Sequence, residues 1–178
     1  ITSRENLTFW RTPAQWTQLL LVGSLVIVYI FNFKYFNALH QTGFFTELTL
    51  FMTYMGLSGM VMITLAARFL YPSISGEGKA LWVLQSAPIH PKVILDSKLR
   101  WAQVPLVTLS ISLSLVGAWL TELQFSWMIA TTWGGILLAF GILGLGIGMG
   151  AANPRFNLPN PMMVASSLGG ISFMLIAL

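Results

Sequence analysis

Residues 125–149 read FSWMIATTWGGILLAFGILGLGIGM, and this run decides the fold class. It contains no charged side chain. As a helix it is long enough to cross the roughly 30 Å hydrocarbon core of a bilayer, which takes about 20 residues. Lipid offers no water to satisfy backbone N–H and C=O groups, so an apolar run of this length is expected to be helical. The run therefore predicts a transmembrane helix.

Four further apolar runs accompany it, and they cover about residues 17–33, 45–70, 102–120 and 161–178. Only 8% of the chain is charged, whereas an ordinary soluble domain is about 25% charged. One such run could be a core helix of a soluble protein, but five in 178 residues argue against that reading. None alternates as a barrel strand does. We predict an all-α polytopic transmembrane bundle with about five spans, the last one truncated.

The basic residues predict the orientation of these spans. If the spans alternate, Lys34 falls on one side and the remaining Lys and Arg residues, out of nine, fall on the other. Cytoplasmic connections are enriched in Lys and Arg, so that second side and the N-terminus should be cytoplasmic. The net charge of +4 then reports topology and not nucleic-acid binding. The cytoplasmic set is Arg4, Arg11, Arg68, Lys79, Lys92, Lys98, Arg100 and Arg155.

Residues 1–16 have the character of an interfacial elbow that precedes the transmembrane domain at 17–178. Arg11 and Gln15 alternate with aromatic residues such as Trp16, a side chain that favours the water–lipid boundary. Pro13 is expected to interrupt this segment. The chain begins with Ile and stops inside an apolar run, so we expect it to be a piece of a longer polypeptide.

The longest connection, residues 71–100, is expected on the cytoplasmic side and is not featureless. EGKALWVLQS at Glu77–Ser86 suits a short amphipathic helix, and a second candidate follows two prolines at Lys92–Trp101. We predict two short interfacial helices that lie under the membrane. Gly78-Lys79 resembles part of a phosphate loop, but the required G-x-x-x-x-G-K-[ST] pattern fails at two positions, so nucleotide binding is rejected here.

The glycines of residues 125–150 are interpreted as packing residues. Two pairs have the small-x-x-x-small spacing that lets membrane helices approach closely. The alternative is a mobile or kinked segment used in transport. The pairs are Gly144 with Gly148 and Gly146 with Gly150.

No pattern in the sequence supports catalysis, a metal site or a cofactor site. His40 and His90 are expected on opposite sides of the membrane, and the chain has no cysteine. Glu47 is expected at the outer headgroup level rather than deep in lipid. Pro105 is expected in the first turn of the third span, where proline costs little. We therefore expect no enzyme activity in this chain.

Three blocks carry a resemblance to a known family. The first is R-x-P-x-Q-W at residues 11–16, the second is AARFLYPSISGEGKALWVLQSAPI at Ala66–Ile89, and the third is N-P-R-F-N-x-x-N-P at Asn153–Pro161. The chain resembles the ABC exporter permeases of type-2 architecture over nearly its whole length. The last two blocks are the specific ones, because apolar spans alone occur in many membrane proteins.

The resemblance implies a multi-pass permease in a bacterial-type plasma (inner) membrane, working by alternating access with a separate cytoplasmic ABC ATPase. ATP and Mg²⁺ would bind that partner and not this chain. A second permease copy, or the rest of a longer chain, would complete the path. Nucleic acid is not an expected partner. The ATPase-coupling candidates are Glu77, Gly78, Lys79, Trp82 and Pro88, and the inner loop near the last span offers Asn153, Pro154 and Arg155.

Two other functions remain open at this point. The many aromatic and small residues also suit a structural or assembly subunit of a larger membrane complex. A pigment- or quinone-binding protein is a weaker alternative, since only His40 and His90 could serve as axial ligands.

Overall fold

The structure is a computed structural model that describes residues 13–36, 44–76, 91–120, 122–154 and 161–178. Those residues form helices and turns without any strand, which confirms the predicted all-α bundle. The helices, numbered here in chain order, are α1 Pro13–Phe36, α2 Phe44–Leu65, α3 Pro91–Leu120, α4 Phe125–Ala152 and α5 Leu168–Ala177.

Three helical stretches in the described ranges are long and apolar enough to cross a membrane. They are Glu47–Ser73, Leu95–Leu120 and Phe125–Ala152. Two shorter apolar helices, Leu20–Phe31 and Leu168–Ala177, coincide with the first and last predicted spans. Large apolar side chains also remain on the outside, among them Trp119 at 79% and Leu137 at 68% exposure. Such a surface is stable against lipid and not against water.

Pro13 is the first residue of α1. A proline at the first helical position costs little because its missing N–H would have no partner there. Gln15 and Trp16 therefore lie in the first turn of α1. The segment before Pro13 lies outside the described residues, so the expected interruption at Pro13 stays a prediction.

Two expectations about α3 were wrong. It runs unbroken from Pro91 to Leu120, so Lys92–Trp101 is the start of the third long helix and not a separate short one. Pro105 consequently lies inside the helix and not in its first turn. A proline there removes one backbone hydrogen bond, which membrane helices tolerate when nearby hydroxyls satisfy freed carbonyls. Thr108, three residues later, donates to the carbonyls of Val104 at 2.7 Å and Pro105 at 3.1 Å, whereas the carbonyl that the proline frees is that of Trp101.

α2 does not end cleanly. A π-helical turn, Ala66–Leu70, and a 3₁₀ turn, Tyr71–Ser73, extend it to Pro72 and beyond. π-helical turns add a residue to the helical ladder and often occur at functional positions. Glu47 lies in the first turn of α2, at the opposite end, where a carboxylate suits the positive helix terminus.

α4 is the central helix and packs against α2, α3 and α5. The ends of α2 and α4 and the starts of α3 and α5 meet at one end of the bundle, which we name the Tyr71 end. The turn between α3 and α4 marks the Glu122 end. One core cluster, containing Met62, Tyr71 and Phe173, lies toward the Tyr71 end. A second, containing Tyr54 and Leu113, lies toward the Glu122 end.

Candidate functional site

Tyr71 is the centre of the Tyr71 end. It follows the π-helical turn and precedes Pro72, so it is the last aromatic residue before the chain leaves α2. Only 1% of its surface is exposed. A tyrosine at the boundary of a membrane helix ordinarily presents its hydroxyl to the headgroups. This one instead lies inside the bundle, which means that the end of α2 is anchored to other helices.

Two helices hold Tyr71. A Cβ added to Gly150 of α4 would lie 2.6 Å from the Tyr71 carbonyl oxygen. The ring of Tyr71 stacks on Phe173 of α5 with 5.6 Å between ring centroids and 16° between planes. Its hydroxyl lies against Gly169, where a Cβ would collide with it. We name this set, Tyr71, Gly150, Gly169 and Phe173, the Tyr71 junction.

The hydroxyl of Tyr71 is buried and has no hydrogen-bond partner among the described residues. A cleft of about 470 Å³ with both polar and apolar walls borders the junction on the side of Gly169. Its walls come from the end of α4, Asn153 and Pro154, and from the start of α5, Leu168, Gly169 and Ser172. α5 is capped by Ser167, whose Oγ accepts from the Gly170 N–H at 3.3 Å. The junction therefore connects α2 with both sides of the segment between α4 and α5.

The four glycines of α4 that were predicted to pack divide by face. Gly146 and Gly150 face α2, since a Cβ on Gly146 would lie 2.7 Å from Leu70 Cδ2. Gly144 and Gly148 have nothing within 4 Å of an added Cβ. The close approach of α4 to α2 thus depends on one of the two small-x-x-x-small pairs. The other pair faces open space in the described part of the chain.

Of the remaining predicted positions, Asn153 and Pro154 are exposed at the end of α4. The others lie outside the described residues: Arg11, Glu77, Gly78, Lys79, Trp82, Pro88 and Arg155. Lys98, predicted only as a topology signal, is 4% exposed in the third turn of α3. The sequence analysis did not identify three residues of the junction, Tyr71, Gly169 and Phe173. The sequence feature that could have pointed to Tyr71 was weak, a Tyr-Pro pair at the end of an apolar run.

A second polar region lies between α3 and α4, nearer the Glu122 end. Ser110, Ser114 and Thr131 are buried there. Ser114 Oγ donates to the carbonyl of Thr131 at 3.4 Å, while the Ser110 hydroxyl has no partner among the described residues. A Cβ on Gly135 would lie 2.7 Å from Ser110 Oγ and 3.0 Å from Ser114 Oγ. This hydroxyl seam lets the two helices approach closely in the middle of the predicted membrane.

Neither region has the composition of a metal centre. In the part of the chain that the structure describes, no group of three or more His, Asp or Glu side chains could hold a metal ion. The two polar regions consist of hydroxyls, amides and backbone groups. Such groups suit helix contact and transmission of movement more than proton or metal chemistry.

Comparison with known proteins relates the chain to transporters. Neither the curated proteins nor the solved structures contain a match. One family model, described as "Putative ATP-binding cassette", matches residues 1–178. Because this match covers the whole chain, the protein belongs to that ABC-transporter-related family.

Proposed function

We propose that this chain is the transmembrane permease part of an ATP-driven ABC exporter, with ATP hydrolysed in a separate cytoplasmic subunit. The observation that carries the proposal is the Tyr71 junction. It joins the start of the connection between α2 and α3 to α4 and α5, through the close approach of the Tyr71 carbonyl to Gly150 and the ring stack on Phe173. A push on that connection would be transmitted to two further helices through close contacts, without needing a flexible linker.

The sequence supports the proposal that this chain forms the membrane path and that a second subunit hydrolyses ATP. The family description names an ATP-binding cassette, but these 178 residues contain no G-x-x-x-x-G-K-[ST] phosphate loop. Nucleotide phosphates are bound by that loop in such ATPases. Long apolar helices with exposed Trp and Leu side chains are what a membrane subunit requires. On these grounds we propose that ATP and Mg²⁺ bind the partner subunit.

The proposed mechanism is alternating access. Closure of the ATPase subunits would displace the connection between α2 and α3 on the cytoplasmic face of a bacterial-type plasma membrane, with the N-terminus on that same face. Through the Tyr71 junction, the end of α2 would carry α4 and α5 with it. Packed interfaces of this kind shift between discrete arrangements and do not deform continuously. A second copy, or further spans of a longer chain, would supply the other wall of the path.

Trp82 and Glu77 are the proposed ATPase contacts, on the strength of the resemblance. The test is co-purification of the full-length protein with its ATPase, followed by vanadate-sensitive ATPase activity in proteoliposomes. Trp82→Ala should weaken co-purification by roughly 30-fold, the usual effect of truncating a central interface tryptophan. Glu77→Ala should lower substrate-stimulated ATPase activity while the protein remains inserted.

The matched control is Trp119→Ala. Trp119 is 79% exposed near the Glu122 end, on the other side of the bundle. It should leave co-purification unchanged. Equal effects of Trp82→Ala and Trp119→Ala on assembly or stability would favour a structural subunit of a membrane complex. Failure of any ATPase to co-purify with the wild-type protein would contradict the transport proposal.

A further inference from the structure

A cleft of about 590 Å³ opens between α1, α2 and α5. Its size is in the range of small-molecule pockets, about 300–1,000 Å³. Nine of the twelve described lining residues are aliphatic or thioether, and two of these are methionines, which adapt to irregular shapes. The lining residues are Leu25, Val28, Tyr29, Leu57, Met60, Val61, Ile63, Thr64, Arg68, Met174, Leu175 and Leu178.

Arg68 is the charged member of this lining. It lies in the π-helical turn at the end of α2 and is partly exposed. Within the described part of the chain it forms no ion pair. A guanidinium presents a planar fork of donors that matches a phosphate group. An unpaired guanidinium at the end of an apolar cleft has the charge pattern that complements an anionic amphiphile.

The dimensions of the cleft match one leaflet. At 1.5 Å per residue, the rise along α2 from Leu57 to Arg68 is about 16 Å. Half of a hydrocarbon core of about 30 Å is about 15 Å. The rise from Glu47, at the opposite end of the span, to Arg68 is about 32 Å, so the guanidinium lies near the depth of the headgroups.

The lining also distinguishes a lipid from a further helix as the occupant. Membrane helices pack closely where small residues line the contact. The contact of α4 with α2 follows that rule through Gly146 and Gly150. Among the described residues, the lining of the cleft contains neither glycine nor alanine, and its one small side chain is that of Thr64. A flexible acyl chain fills a groove between large branched side chains more readily than a rigid helix does.

We propose that this cleft binds one anionic phospholipid of the leaflet on the Arg68 side. The phosphate would accept hydrogen bonds from the Arg68 guanidinium, and one acyl chain would lie along Val28, Met60 and Met174. Preference for a net anionic headgroup follows because a zwitterionic lipid carries its own ammonium near the phosphate. Lipid binding of this kind would hold whether or not an ATPase drives the protein.

The test uses the full chain in nanodiscs of equal parts phosphatidylglycerol and phosphatidylcholine, with co-released lipid counted by native mass spectrometry. The wild type should retain phosphatidylglycerol about tenfold over phosphatidylcholine, because the choline ammonium offsets the attraction between the phosphate and the Arg68 guanidinium. Arg68→Gln should abolish the preference. Arg100→Gln, an exposed arginine of α3 outside the cleft, should keep it.

A second pair of variants tests the acyl-chain part. Met60→Trp should fill the cleft and reduce retained lipid about tenfold, because it occupies the groove. Met52→Trp, at an exposed methionine of α2 outside the cleft, should not. Excess inorganic phosphate should fail to displace the lipid, since the free ion cannot occupy the apolar groove.

Four results would overturn the proposal. They are a wild type without headgroup preference, equal loss in Arg68→Gln and Arg100→Gln, complete displacement by inorganic phosphate, and photo-crosslinking from position 60 to another protein segment instead of lipid. The third result would indicate a free-phosphate site, and the fourth a helix in the cleft.

Discussion

Tyr54 and Tyr71 occupy similar environments and are held in different ways. Each is at most 2% exposed, and each lies against a glycine of another helix. The Tyr54 hydroxyl donates to the carbonyl of Gly117 in α3. The Tyr71 hydroxyl has no hydrogen-bond partner among the described residues. Tyr71 is held instead by the packing of its backbone carbonyl against Gly150 and of its ring against Phe173.

This difference in hydrogen bonding suggests that the contact of Tyr54 is fixed, whereas the contacts of Tyr71 can break and form again. A satisfied hydroxyl in a low-dielectric interior fixes the register of two helices. A buried hydroxyl without a partner costs free energy, and such positions often coincide with functional strain. The contact between Tyr54 and Gly117 is therefore interpreted as a fixed one, although the Ser110 hydroxyl nearer the same end has no partner among the described residues. The contacts of Tyr71 are interpreted as ones that can change, in agreement with the proposed transmission from the connection between α2 and α3.

The largest expected effect comes from Gly150→Ala. The new methyl would lie 2.6 Å from the Tyr71 carbonyl oxygen, and a backbone atom cannot rotate away as a side chain can. We expect unfolding free energy to fall by about 3 kcal/mol, the upper end for overpacking. SDS titration of the purified protein, followed by circular dichroism, measures it.

Gly148→Ala is the matched control on the same helix. Nothing lies within 4 Å of a Cβ at Gly148, so this variant should be neutral or more stable by up to about 1 kcal/mol through helix propensity. Equal destabilisation by both variants would show that any added methyl on α4 lowers stability. It would contradict the claim that the contact of Gly150 with Tyr71 limits the size of the side chain at position 150.

An intermediate effect on the free energy of unfolding is expected to distinguish Tyr54 from Tyr71. Tyr54→Phe removes the donor to the Gly117 carbonyl and should cost about 1 kcal/mol. Tyr71→Phe removes a hydroxyl without a partner and should be neutral or slightly stabilising. Both are read from the same SDS titration. A loss in Tyr71→Phe as large as that in Tyr54→Phe would contradict the contrast drawn between the two ends.

The smallest effect tests the hydroxyl seam of α3 and α4. A methyl on Gly135 meets two serine hydroxyls at 2.7 and 3.0 Å, and side chains can move aside, so Gly135→Ala should cost below about 1 kcal/mol. Ser110→Ala alone should be nearly neutral, since its hydroxyl has no partner among the described residues. The double variant should recover part of the loss. An additive double-mutant cycle would show that the two positions do not interact.

Much of the fold followed from hydropathy, because lipid requires long apolar helices. The run at 125–149 became the helix Phe125–Ala152, and the run at 17–33 lies inside Pro13–Phe36. The errors were at boundaries. Hydropathy reports where a helix leaves the lipid and not where it ends, so the polar start of α3, at Lys92–Trp101, was mistaken for a separate element.

The candidate site was much less predictable. Small-residue spacing marked four glycines of α4 but could not say which pair faces a partner, because the helix is apolar on all sides. The sequence around Tyr71 does not indicate that its side chain is buried. Its contacts come from positions 150, 169 and 173, which only the tertiary structure brings together.

The sequence by itself determined the helical class and the approximate positions of the apolar segments, because backbone hydrogen bonding in lipid leaves the chain no other choice. Only the tertiary structure decided which glycine pair brings α4 against α2, that α3 begins at Pro91, and that Tyr71 joins three helices. Those features depend on which faces meet, and face selection in an all-apolar helix is a property of its neighbours and not of its own residues.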